Sequence, residues 1–191
     1  AGTLDPAWSA TLPETTLRAA AVPIDYQGRL KRLLAGPAKG YLQYYAQIAQ
    51  LLLGQEQLTA ALSNLGGRGM LVIGRASRDN ADAGVHVAMM IESSAPQIPD
   101  QALTDLAQRL VAMLLIGGAA DTQPTSQPAA IQVKTRIMDT TTIHWVEPDQ
   151  RVAAKLQAPP LAAIAPAWAQ IDTWLVIASH PAQIERMLDA R

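Results

Sequence analysis

Two pairs of short apolar runs, each broken by a polar turn, constrain this chain more than any other feature. Met70-Leu71-Val72-Ile73 and Val85 to Ile91 flank a tip from Ala76 to Ala83 that is rich in turn formers, so they read as a β-hairpin. Ile131 to Met138 and Thr142 to Val146 read as a second one. Hairpins join antiparallel strands, and strands with one apolar face need helices to cover it. The fold class that follows is α+β: a mainly antiparallel sheet of about five or six strands built from two hairpins and covered by amphipathic helices. A two-residue turn at Asp139-Thr140 would set Ile143 and Trp145 opposite Arg136 and Lys134. A three-residue loop through Thr141 sets them opposite Ile137 and Thr135. Keeping one face apolar favours the three-residue loop, which puts His144 opposite Arg136 on the polar face.

Helical spacing fills the gaps between strands. Tyr41, Tyr44, Tyr45, Ile48, Leu51 and Leu52 recur up to Gly54, and Leu58, Ala61, Leu62 and Leu65 recur up to Gly66-Gly67, where the glycines read as a helix stop. At that spacing, in a chain without Phe, the tyrosines read as core filling. Asp100 reads as the N-cap of a helix carrying Leu103, Leu106, Leu110 and Leu114 on one face, with Asp105 and Arg109 paired on the other. Leu12 to Ile24 reads as a turn and an edge strand, since Pro23 has no ladder donor. Asp25 caps a short helix through Leu33, Gly117 to Ala129 is a polar loop, and a short helix spans residues 151 to 157 in an otherwise wandering stretch from Val152 to Trp168. At the end, Trp174 to Ala178 is a strand and Pro181 opens a helix with Ile184, Met187 and Leu188 on one face. Leu71-Val72-Ile73 and Leu175-Val176-Ile177 match, but three residues do not make a repeat.

Composition sets the limits. Residues 1–10 read as a tether and 11–191 as a single domain, and the missing initial Met and the closing helix read as a piece cut from a larger protein. Charged residues are 16% against 49% hydrophobic, which excludes a disordered chain. A net charge of −1, with no basic stretch, excludes nucleic acid as a partner. The expected partners are proteins or other domains of the same chain. The apolar run Leu110 to Ile116 is far short of the roughly 20 residues that span a bilayer.

No motif for a cofactor, a nucleotide or a metal is present, and the reading is of a chain without cofactor or metal. Gly66-Gly67-Arg68-Gly69 precedes a strand where a phosphate loop would follow one. The oxygen-rich tip from Arg78 to Asp82 lacks the twelve-residue calcium loop. His86, His144 and His180 lack metal-ligand spacing, and His86 alternates onto the less buried side of its hairpin. The candidate catalytic residues are Ser179, His180 and Asp172, dispersed polar residues from which a hydrolase would assemble its site, with Ser-His as half of the pair it needs. Against that stands a simpler role, in which Ser179 or His180 caps the helix before Pro181.

Leu-Pro-Glu-Thr-Thr at 12 to 16, the extended Ala-rich segment after it, and the closing strand Leu175 to Ser179 leading into Ile184 to Leu188 resemble a class of uncharacterised bacterial extracytoplasmic α+β domains. The resemblance covers both ends and leaves the middle unmatched. It implies an exported or surface-anchored module and transfers no catalytic residue. Eleven Arg against four Lys and abundant Ala fit a GC-rich bacterial genome. The expected function is a non-catalytic extracytoplasmic interaction or scaffold domain, periplasmic or secreted, and the alternative is a hydrolase with a site built from dispersed polar residues.

Overall fold

Asp139 and Asp172 both adopt φ 51°, a left-handed conformation that Asp tolerates better than most residues, and each turns the chain back on itself within two residues. Those two turns generate the C-terminal half of the sheet. The computed structural model describes residues 12–23, 41–77, 84–118, 131–147 and 164–191. The tether, the short helices proposed at 25–33 and 151–157, the oxygen-rich tip at 78–82 and nearly all of the polar loop to Ala129 lie outside the described residues.

The strands are β1 (Thr16–Pro23), β2 (Leu65–Arg75), β3 (Val85–Ser93), β4 (Gln132–Met138), β5 (Thr141–Glu147), β6 (Ala167–Ile171) and β7 (Trp174–Ala178). They form one antiparallel sheet in the order β1-β2-β3-β7-β6-β5-β4. The helices are α1 (Tyr41–Leu53), α2 (Gln55–Ser63), α3 (Gln97–Gly118) and α4 (Pro181–Asp189). The α+β class and the antiparallel sheet stand as expected; the described residues form seven strands, six of them in three hairpins, where about five or six strands built from two hairpins were expected. The extra strand is β6. It pairs with β7 through Asp172-Thr173, so Ala167 and Trp168, expected at the end of a wandering stretch, are strand residues.

Side chains alternate across the sheet, so each face has its own cover. Met70, Val72, Ala88, Met90, Ile143, Ala169, Val176 and Ala178 lie on one face, where Ile184 and Met187 of α4 complete the main core. The C-terminal helix thus docks on its own sheet. The opposite face carries Trp168 and His144 beneath the first turns of α3. There the Trp168 Nε1–H donates to Thr104 Oγ1 at 3.2 Å. A second, smaller core of Leu53, Ala61 and Ala102, with Leu58 and Leu106 against it, holds α1 and α2 to α3.

Five expectations need correction. The β4–β5 turn has two residues, so Arg136 faces Ile143, Lys134 faces Trp145, and His144 faces Thr135. β4 is the sheet edge, where one face of a strand need not be apolar. There Arg136 can lie over the core face and reach out to Glu185 of α4 at 2.9 Å, and Lys134 pairs with Glu147. Gly66-Gly67 do not stop a helix; α2 ends at Ser63, and both glycines lie in β2 beside a register shift. A Cβ at Gly66 would stand 3.1 Å from the Glu92 carbonyl oxygen, a close approach that favours glycine. Asp100 is inside α3, not its N-cap: the helix starts at Gln97, and Pro99 fits because first-turn N–H groups have no helical partner. Asp105 accepts from the amides of Gln57 and Gln101 and Arg109 donates to the Leu52 carbonyl, so both tie the helices together instead of pairing. Finally, His86 faces the main core and is 5% exposed.

Candidate functional site

The corner where β7 hands over to α4 carries two of the three candidate catalytic residues, and the backbone has claimed both. Ser179 extends the β3–β7 pairing by one residue. Its N–H donates to the Val87 carbonyl at 2.8 Å, its Oγ accepts the Val87 N–H at 3.0 Å, and its carbonyl accepts the Ala165 N–H at 2.8 Å. His180 is the N-cap of α4, with extended backbone (φ −157°, ψ 141°) and Nδ1 accepting the Ala182 N–H at 3.2 Å. Pro181 follows in the first turn, where its missing N–H costs nothing. The cap role is the one observed. Asp172 lies beyond the other end of β7, so the whole five-residue strand separates it from Ser179. Its carboxylate pairs with Arg191 past the end of α4. Ser179 and His180 are neighbours without a nucleophile–base hydrogen bond between them, and Asp172 joins neither.

What the structure assembles around His180 was not visible in the sequence. His86 stacks on it with ring centroids 4.7 Å apart and planes 3° from parallel. His86 is paired across the ladder with Gly74, and Gly74 with Thr16, so the three form a row along the top of the sheet. Gln183 of α4, 0% exposed, lies over the glycine: a Cβ there would come within 3.0 Å of Gln183 Oε1 and 3.1 Å of Nε2. Arg186 completes the corner by donating to the carbonyls of Arg75 and Ala76 at the end of β2. Five buried polar atoms in this corner, Thr15 Oγ1, Thr16 Oγ1, His86 Nδ1 and both amide atoms of Gln183, have no hydrogen-bond partner in the structure. An open crevice of about 440 Å³, lined by Glu14, Thr15, Thr16, Leu17 and Arg75, runs past the two threonines. A second of about 390 Å³ adjoins it between Thr15 and Arg186.

The electrostatics follow from burial. Burial, the neighbouring His180 and the Arg186 guanidinium hold His86 down at about 4, so it is neutral at pH 7. Burial also lowers His180; Glu185 pulls the other way and Arg186 adds to the lowering.

A second polar cluster sits on the opposite face. His144 Nε2 lies 3.7 Å from Asp100 Oδ2, its ring stacks on Trp168 with centroids 5.6 Å apart, and Thr104 Oγ1 donates to the Asp100 carbonyl at 3.0 Å. Burial raises the Asp100 carboxyl and His144 draws it down. Asp100 Oδ1 and His144 Nδ1 are buried without partners. The sequence alone reads His144 onto the polar face of its hairpin and Asp100 as a helix N-cap. What joins them is the packing of α3 over the face opposite Ile143 and Trp145, which periodicity along β5 does not reveal.

Among the described residues no three His, Asp or Glu side chains gather as a metal site, and no helix is long and apolar enough to cross a membrane. No family model, curated protein or solved structure matches the chain.

Proposed function

We propose that this domain works by binding rather than by catalysis, as an interaction or scaffold module outside the cytoplasm. The observation that carries this reading is the commitment of Ser179. Its hydroxyl, N–H and carbonyl all hold strands and loops in place, and the imidazole beside it spends Nδ1 on the helix cap. A hydrolase needs that serine hydrogen-bonded to a base, and the base oriented by a third group. The extracytoplasmic location rests on the resemblance of both ends of the chain to exported bacterial domains.

Two measurements test the proposal. A serine-directed fluorophosphonate probe and a panel of simple esters should give neither labelling nor turnover. Labelling at Ser179, or turnover abolished by Ser179→Ala, would overturn the non-catalytic reading. Protease accessibility of the tagged gene product in intact cells of its host should place the domain outside the inner membrane, and full protection until lysis would overturn that location.

A further inference from the structure

The atom of His180 that caps α4 is the atom that must take up a proton when the ring charges. Because Nδ1 accepts the Ala182 N–H, the neutral ring carries its hydrogen on Nε2. A second proton can enter only at Nδ1. The imidazolium then has two donors and no acceptor, and two N–H groups face each other where the cap bond was. The new charge also lands 4.7 Å from the stacked His86 ring.

The groups around the pair do little to absorb that charge. From α4, Glu185 favours it, but this carboxylate is shared with Arg136 at 2.9 Å, while Arg186 opposes it. From β2, the Arg75 carbonyl holds the Arg186 guanidinium in place, and Arg75 itself lines the crevice. Ahead of β1, Glu14 borders the crevice with Arg75 on one side and with Arg186 and Asp189 on the other. From β3, His86 is packed face to face with His180, with Nδ1 buried and unpartnered.

We propose that α4 is an acid-released latch: a proton taken up at His180 Nδ1 removes the helix cap, and its charge beside His86 and Arg186 undocks the helix from the sheet. Release draws Ile184 and Met187 away from the floor formed by Met70, Val72, Ala88 and Val176. Once undocked, both imidazoles return to their ordinary value of about 6.5. The open form therefore binds protons that the closed form refuses, and the drive to open grows as pH falls from about 6.5 and levels off near 4.

Hydrogen exchange followed by mass spectrometry on the whole chain, at about pH 7.5 and about pH 4.5, tests this after correction for intrinsic rates. Opening of residues 182 to 190 should increase by about tenfold per pH unit below 6.5 for each imidazole that charges on release, up to about a hundredfold for the pair, while β5 and β6 keep their protection. His180→Asn keeps a capping side chain that does not titrate and should remove most of the acid response. His86→Phe keeps a ring on the stack without its charge and should weaken that response. The latch is overturned if α4 and β5–β6 open together at one pH. It is equally overturned if either variant opens at the wild-type pH.

Discussion

The Ser179 hydroxyl stands in for a backbone carbonyl by taking the Val87 N–H, and its value is therefore structural. Ser179→Ala should leave that part-buried N–H unsatisfied and lower stability by about 1–3 kcal/mol, read as a shift of the denaturant midpoint. Asp100 makes the opposite case. Its carboxyl is raised by burial, so the folded state holds the proton more tightly than the unfolded chain. The associated stability is present below the ordinary carboxylate range and is lost as pH rises through the shifted value. At pH 7 the ionised group is a liability, and Asp100→Asn should raise the denaturant midpoint there. At about pH 3.5, below that range, the gain should have vanished. A midpoint at pH 7 that is unchanged or lower would mean that the attraction of His144 outweighs the burial cost.

At the scale of elements, exposure separates apolar residues that look alike in the sequence. Ile184 on α4 is 0% exposed within the main core, whereas Ile137 on the edge strand β4 is 72% exposed. Ile184→Ala should cost about 2–5 kcal/mol, and Ile137→Ala should stay within about 0.5 kcal/mol, both by denaturant titration. The α4 stripe was legible because Ile184, Met187 and Leu188 recur at helical spacing after a proline start. β6 was not. Ala167-Trp168-Ala169-Gln170-Ile171 is covered on both faces, so it shows no alternation of apolar and polar residues, and its turn uses Asp-Thr without glycine. The same loss of alternation hid His86. In a strand with neighbours on both sides and cover above and below, period two says which residues share a face but not which face is the core. The candidate site suffered for a related reason: Ser179 and His180 were visible as a pair, but Thr16, Gly74, His86 and Gln183 meet only through register and helix docking.

Over the whole molecule, the stacked pair of buried His86 and half-buried His180 sets the acid limb of the stability curve. Both titrate below their ordinary value when folded, so between about pH 6.5 and 4 the unfolded chain binds more protons. Stability should be flat above this window and fall as pH drops through it. Denaturant midpoints measured at several pH values should show the slope, and the double variant His86→Phe, His180→Asn should flatten it. The strand order carries a different consequence. β3 meets the C-terminal half of the sheet only through β7, whose Trp174–Ala178 pair with Glu92 back to Ala88. The three N-terminal strands therefore lack a neighbour on one side until the chain has been made as far as Ala178. A ribosome translating this domain holds β3 as an open edge for about ninety residues of synthesis, by subtraction of the paired positions Ala88 and Ala178. Slowing translation would lengthen that exposure, and a chaperone that shields strand edges would find its substrate in the nascent chain rather than in the finished protein.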